Sequence, residues 1–123
     1  DVIIDLISPG NIRHIATKIA ILDLVTKQQV FISGIAAMEL LVGATNKAML
    51  KKLKQNLTAF HIIYTETSIA KLAVDLLQEY NLSHGLQIQD SFIAATSLLS
   101  SLPLFTYNTK DFKFIKGIQL YQP

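Results

Sequence analysis

The sequence predicts an α/β domain in which helices cover the faces of a mainly parallel sheet. Short β-branched or aromatic runs alternate with longer segments whose apolar residues recur at helical spacing. Alternation of strands and helices favours parallel strands with helices packed on the sheet. No linker, repeat or low-complexity run divides the 123 residues. We therefore expect residues 1–123 to form one domain.

The first predicted elements are a helix over 11–27, a strand over 29–33 and a helix over 34–44. The helix over 11–27 has an isoleucine or leucine at every third or fourth position. The short strand "QVFIS" leads directly into the next helix, which Ser33 is placed to cap and Gly43 to end.

The second half continues the alternation. Residues 66–80 show the clearest amphipathic pattern, with apolar residues at positions i, i+3, i+4 and i+7. The other predicted elements are a helix over 46–57, a strand over 60–64, a helix over about 89–100, and strands over 103–107 and 118–122.

Composition excludes several classes of protein. Half of the residues are hydrophobic and 16% are charged, which is typical of a globular chain. No apolar run approaches the roughly 20 residues of a membrane span, and the first residues lack the features of a signal peptide. The absence of cysteine excludes disulfides and thiolate metal sites and fits a cytoplasmic location. A net charge of +2 indicates no partner by itself.

Two of the nine acidic residues stand out because their segments are otherwise uncharged. Glu39 is the only charged residue between Gln28 and Asn46, and no charged residue follows Asp90 until after Asn108. A buried carboxylate without a partner is costly, so both residues call for an explanation. One explanation is local: Asp90 would be a first-turn acid of its helix, and Glu39 would point out of the apolar face or pair with a distant lysine.

The other explanation is a shared metal site. Loops at the carboxyl ends of parallel strands form the usual functional crevice of such sheets. Carboxylates that meet there repel each other unless a cation neutralises them. Asp111 and Asn108 follow the strand over 103–107 and offer further oxygen ligands, although both residue types are also common in turns. Oxygen donors without cysteine or a histidine cluster suit Mg²⁺ or Mn²⁺ rather than zinc.

Three segments resemble motifs of the PIN domain family, in the family's order: "FISGIAAMELLVGA", "HGLQIQDSFIAATSLL" and "LFTYNTKDFKFIKGIQLY". The chain is most similar to the VapC-like toxin ribonucleases of bacterial and archaeal toxin–antitoxin pairs. This resemblance implies a small three-layer α/β/α fold, a Mg²⁺-dependent endoribonuclease activity on RNA, a homodimer and a cognate antitoxin. The helices over 11–27 and 46–57 could supply the surfaces for these protein partners.

The resemblance also implies roles for particular residues. Glu39 matches the helix glutamate of the family and Asp90 its third acid, both as catalytic metal ligands. The fourth polar position falls on either Asn108 or Asp111. Ser33 matches a small polar residue near the metal pocket, and Thr106 matches a residue that lines the acidic cluster.

The beginning of the chain departs from the family pattern. The family has a hydrophobic first strand that ends in an Asp-Thr-(Asn/Asp) turn. In the register that we favour, Asp1 is the third residue of that turn, so the first strand and the leading aspartate would lie upstream of Asp1. In the other register, Asp1 is itself the metal-binding acid at the end of the strand. Asp5 lies too far along the chain to be a ligand in either register.

An acidic pocket repels RNA, so attraction for phosphates must come from other residues. Two groups of lysines are candidates for contacts with the RNA backbone, although a basic helix face is more often simply solvated. The first group is Lys47, Lys51, Lys52 and Lys54, of which we favour Lys51 and Lys52; the second is Lys110, Lys113 and Lys116, beside the proposed site. Tyr107 could stack on a base.

The alternative function is a non-catalytic scaffold of PIN-like fold that lacks the first acidic ligand and binds a protein or RNA. Metal titration would separate the two hypotheses, because a nuclease should bind Mg²⁺ or Mn²⁺ and cut RNA. Phosphoryl transfer through an aspartate nucleophile is less favoured, since no strand-end aspartate has a close lysine in the required arrangement.

Overall fold

A computed structural model of the chain describes residues 2–4, 30–106 and 108–121. Four short strands form one sheet in the order β3-β2-β1-β4, and every pairing between them is parallel. The strands are β1 (Val2–Ile4), β2 (Val30–Ser33), β3 (His61–Ile63) and β4 (Leu104–Phe105). The predicted α/β class with a parallel sheet is confirmed.

Strand β1, at the beginning of the chain, lies inside the sheet. Val2 pairs with Val30 of β2, and Ile3 pairs with Leu104 of β4. Val2–Ile4 therefore supplies the central strand of the described sheet. That further residues of this strand lie upstream of Asp1 stays a prediction. Three consecutive β-branched apolar residues are well suited to a central parallel strand, which is covered on both faces.

Four α-helices follow in the described part of the chain, each close to its predicted position. They are α1 (Gly34–Val42), α2 (Lys47–Leu57), α3 (Thr67–His84) and α4 (Ile88–Ser100). The Ser33 side chain accepts a hydrogen bond from the Ala36 N–H, as the predicted cap requires. Helix α3 runs four residues beyond the prediction and ends at Gly85, whose φ of 72° suits glycine. The predicted helix over 11–27 lies outside the described residues.

The carboxyl-terminal strands are shorter than predicted. After β4 the chain forms a 3-10 turn, Thr109–Asp111, and then reverses at Gly117, where φ is 86°. A strand was predicted over 118–122; in the described part of this range, residues 118–121, Leu120 forms an isolated parallel bridge to Leu104. The bridge is held by hydrogen bonds from Leu104 N–H to the Gln119 carbonyl and from Tyr121 N–H to the Leu104 carbonyl.

Two hydrophobic cores lie on opposite faces of the sheet. Phe31 packs against the larger core and its neighbour Ile32 belongs to the smaller one. In the same way, Ile63 faces the larger core and Ile62 the smaller. Because successive strand residues point to opposite faces, the sheet separates the two cores. The three-layer α/β/α arrangement is confirmed.

Helices α3 and α4 build the larger core, and α1 and α2 build the smaller one. Leu76 and Tyr80 of α3 pack with Ile93 of α4 and with Phe112. The hydroxyl groups buried in α4 bond to backbone carbonyls: Ser91 to Ile88, Thr96 to Phe92 and Ser97 to Leu102. Burial of α4 explains why no charged residue follows Asp90 in that helix. Among the helices described, none is long and apolar enough to cross a membrane.

Candidate active site at the carboxyl edge of the sheet

The carboxyl ends of all four strands meet at one edge, because the strands are parallel. Across this edge, in the order of the sheet, Tyr64 follows β3, Ser33 ends β2, and Thr106 follows β4. Helix α1 begins at this edge directly after β2. Among the described residues, the sheet therefore gathers one aromatic and two hydroxyl residues at the position where functional crevices form.

Glu39 lies on α1, and its side chain is exposed. Its neighbours on the same side of the helix, Met38 and Val42, are 54% and 83% exposed. The buried side of α1 consists of small residues, Ala36 and Ala37. Of the two explanations that the sequence left open, the structure therefore favours a Glu39 that points out of the apolar segment. The case for Glu39 as a ligand does not depend on a cost of burial.

Asp90 lies in the first turn of α4 and is partly buried. It marks the point at which the helix enters the core, since Ser91 and Ile93 are 2% and 0% exposed. The positive end of the helix dipole favours a carboxylate at this place. Helix α4 packs against α1, so Glu39 and Asp90 belong to neighbouring helices.

The turn after β4 presents Asn108 and Asp111, both exposed. Thr106 is 7% exposed, and its hydroxyl oxygen accepts a hydrogen bond from the Asn108 N–H at 3.0 Å. The Asn108 carbonyl in turn accepts from the Asp111 N–H at 2.9 Å. Thr106 thus orients the backbone of the turn, while both polar side chains at its surface are available to a ligand. Tyr107 lies outside the described residues.

The three lysines near this turn are all exposed: Lys110, Lys113 and Lys116. The backbone N–H of Lys116 donates to the Tyr80 hydroxyl at 3.1 Å, which ties this segment to α3. Lys51 and Lys52 are exposed on α2. The two lysine groups therefore lie on separate elements of the fold.

The described residues contain no larger cluster of acids and histidines. Within residues 2–4, 30–106 and 108–121, no group of three or more histidine, aspartate or glutamate side chains is placed to hold a metal ion. Asp1, which was predicted as a metal ligand, lies outside the described residues.

Asp5 directly follows β1 in the sequence and lies outside the described residues. The roles predicted for the acids at the beginning of the chain therefore stay predictions.

A family model for the PIN domain matches residues 1–117. The chain belongs to the PIN domain family. A comparison with curated proteins gives no match.

Solved structures agree with this PIN domain assignment. A chain of a toxin–antitoxin complex from Klebsiella pneumoniae is 30% identical over 100% of both chains, with a TM-score of 0.69. VapBC2 from Rickettsia felis, bound to a DNA fragment from their promoter, is 26% identical over 86% of this chain and 84% of the other, with a TM-score of 0.70. The DNA-bound VapBC from Salmonella typhimurium shares the fold, with 20% identity, coverage of 98% and 96%, and a TM-score of 0.77. The resemblance to VapC-like PIN domains is confirmed.

Proposed function

We propose that this PIN domain is a metal-dependent endoribonuclease and the toxin of a toxin–antitoxin pair. The observation that carries the proposal is the contact between two helices that each carry one isolated acid. Glu39 lies on α1, which begins at the carboxyl edge of the sheet, and Asp90 lies in the first turn of α4, which packs against α1. The kinship with toxin–antitoxin proteins supports the biological role.

In this proposal Glu39 and Asp90 would hold Mg²⁺ or Mn²⁺, with Asn108 or Asp111 as a further polar group. A third acid would come from the beginning of the chain, and Asp5 is the candidate because it follows β1 in the sequence. The donors are carboxylate and amide oxygens from a chain without cysteine, which is the donor chemistry that these ions prefer. When bound, such an ion makes a water molecule more acidic and neutralises charge at a scissile phosphate.

The residues around the acids would orient the site and the RNA. Ser33 caps α1 and thereby fixes the helix that carries Glu39. Thr106 orients the turn that carries Asn108. The lysines that flank this turn, Lys110, Lys113 and Lys116, would attract the phosphate backbone without reading its sequence.

Tyr64 is a further candidate for RNA contact that the sequence analysis did not single out. It follows β3 at the same edge and is 70% exposed. Its ring lies beside Gly34 at the start of α1. An exposed aromatic ring next to a cleavage site can stack on a base of any kind.

The exposed apolar face of α1 supports the proposed antitoxin. Met38 and Val42 flank Glu39 on the surface, so a partner segment that covers these two side chains would also cover the candidate ligand. A homodimer would use another surface. Val74 and Leu82 lie two turns apart on α3 and are 55% and 98% exposed. The absence of cysteine fits action in the cytoplasm.

Cleavage of a labelled single-stranded RNA in Mg²⁺ tests the proposed function. The variants Asp5→Asn, Glu39→Gln and Asp90→Asn should each lose more than about 100-fold in rate, because even groups that only support metal ligands cost about 10- to 100-fold. Asp75→Asn, an exposed acid on α3, is the matched control and should keep its activity. Circular dichroism checks that the variants fold. Undiminished cleavage by Asp90→Asn would refute the assignment, and folded wild-type protein that neither binds Mn²⁺ nor cuts RNA would favour the scaffold hypothesis.

A further inference from the structure

A basic groove runs along helix α2. It has a cavity volume of about 410 Å³ and is open to solvent on one side. We call it the lysine groove; it is lined by Lys47, Leu50, Lys51, Lys54, Gln55 and Thr58. These six residues recur at intervals of three or four and therefore form one continuous stripe of the helix.

The lysines of the groove point in nearly the same direction. At about 100° per residue, Lys47, Lys51 and Lys54 fall within about 60° of one another around the helix axis. Lys52 lies about 100° beyond Lys51 and does not line the groove. The structure thus separates the four lysines of α2 into three that share a concave surface and one that does not.

The lysines of the groove have no acidic neighbours in the sequence. No aspartate or glutamate occurs between Glu39 and Glu66, so α2 and the segments on both sides carry no acid. Lys47 stands in the first turn, where a cation opposes the helix dipole. Lys47 and Lys51 are four residues apart, a spacing at which like charges destabilise a helix. An anion in the groove would relieve both unfavourable interactions.

The dimensions and chemistry of the groove fit the backbone of a nucleic acid strand. Lys47 and Lys54 are separated by about 10 Å along the helix axis, since each residue rises 1.5 Å. A stacked strand carries one phosphate per about 3.4 Å, so about three phosphates match three ammonium groups. Leu50, which is 38% exposed, adds an apolar surface for sugars or bases, and Gln55 adds a neutral hydrogen-bonding side chain.

We propose that the lysine groove binds the backbone of single-stranded RNA and holds the substrate outside the cleavage site. The choice of RNA rests on the proposed function. The acids at the carboxyl edge of the sheet repel phosphates, so a ribonuclease of this design needs cationic residues elsewhere to retain its substrate. Binding through the groove would be strongly salt-dependent and largely blind to sequence.

Fluorescence anisotropy of labelled single-stranded RNA with the full chain, in EDTA and over a series of salt concentrations, tests this proposal. The triple variant Lys47→Gln/Lys51→Gln/Lys54→Gln should bind at least about 10-fold more weakly at low salt. The slope of log binding constant against log salt concentration should also decrease in magnitude by about 2. Each phosphate contact on a single strand contributes about 0.7 to this slope, and the variant loses three.

Two single variants serve as controls. Lys71→Gln removes an exposed lysine of α3 and should change RNA affinity less than about two-fold. Lys52→Gln should also have a smaller effect than Lys51→Gln, because Lys52 lies outside the groove. Equal effects of Lys52→Gln and Lys51→Gln, or an unchanged salt slope in the triple variant, would overturn the proposal. Thermal melts should show that the triple variant folds.

Because EDTA suppresses metal-dependent cleavage, this experiment separates the groove from the active site. RNA binding that depends on the three lysines, in a protein that never cuts RNA in Mg²⁺, would refute the proposed nuclease and leave RNA binding by the groove intact. Cleavage of RNA by a triple variant that binds as tightly as wild type would refute the groove alone. Poly-glutamate and duplex DNA are competitor probes, and tighter lysine-dependent binding of either than of single-stranded RNA would overturn the choice of RNA.

Discussion

Helices α1 and α4 are both apolar segments with a single carboxylate, yet they occupy opposite environments. In α4, five consecutive residues, 93–97, are buried, so every side of the helix is covered there. In α1, only small residues are buried, and Met38 and Val42 reach the solvent on either side of Glu39. The apolar composition of the two helices therefore has different structural reasons. Helix α4 is apolar because it lies inside the domain, whereas α1 presents an apolar surface at the candidate site.

Truncation of one side chain in each helix tests this difference, with the largest expected effect on stability. Ile93→Ala in α4 should lower the free energy of unfolding by about 2–5 kcal/mol, because it leaves a cavity at a fully buried position. Val42→Ala in α1 should change it by less than about 0.5 kcal/mol. Urea unfolding of both variants measures the contrast, and equal losses would mean that α1 is as firmly packed as α4.

Binding of the antitoxin should depend on the exposed face of α1. Met38→Ser combined with Val42→Ser should weaken the complex by about 1.5–3 kcal/mol if one of these side chains becomes fully buried by the partner. Val74→Ser on α3 is a control with similar exposure and should leave the affinity unchanged. Isothermal titration calorimetry with the cognate antitoxin provides the measurement. An unchanged affinity of the double variant would place the antitoxin elsewhere.

Tyr64 lies beside the start of α1 and is exposed. Tyr64→Ala should weaken binding of single-stranded RNA by about 1–3 kcal/mol if the ring stacks on a base, and Tyr64→Phe should retain most of the affinity. Anisotropy in EDTA separates this effect from cleavage. Equal losses in Tyr64→Phe and Tyr64→Ala would indicate a role of the hydroxyl group instead of stacking.

The N-caps of α1 and α2 can be compared directly, and their substitution should have the smallest effect on stability. Ser33 and Asn46 each accept a hydrogen bond from a backbone N–H in the first turn of their helix. Substitution of either by alanine should cost about 1 kcal/mol of stability. Only Ser33→Ala should also lower RNA cleavage, because α1 carries Glu39. Equal rates in the two variants would show that the cap of α1 does not support the site.

Local signals in the sequence were sufficient for most of the fold. Ser33 and Gly43 correctly marked the ends of α1, and the pattern over residues 66–80 correctly indicated α3. The strand predicted over 118–122 was reduced to one bridge at Leu120, because the turn at Gly117 and the pairing with Leu104 are long-range features. Propensity alone cannot show how many residues of a short apolar run will find a partner strand.

Less of the candidate site than of the fold could be predicted from the sequence. Glu39 and Asp90 were identified by their isolation among apolar residues, and the sequence left open whether Glu39 is buried or points outward; the structure shows it exposed. Asp1 and Asp5 lie outside the described residues, so their predicted roles stay predictions. The order of the strands, which places β1 between β2 and β4, depends on pairings that no local pattern encodes.

Titration of the metal-free protein with Mn²⁺, followed by electron paramagnetic resonance, tests most directly whether these acids form one centre. Wild type should bind Mn²⁺, and Asp5→Asn, Glu39→Gln and Asp90→Asn should each weaken binding by more than about 10-fold, while Asp75→Asn binds as wild type does. Wild-type affinity in folded Glu39→Gln and Asp90→Asn would contradict the shared site.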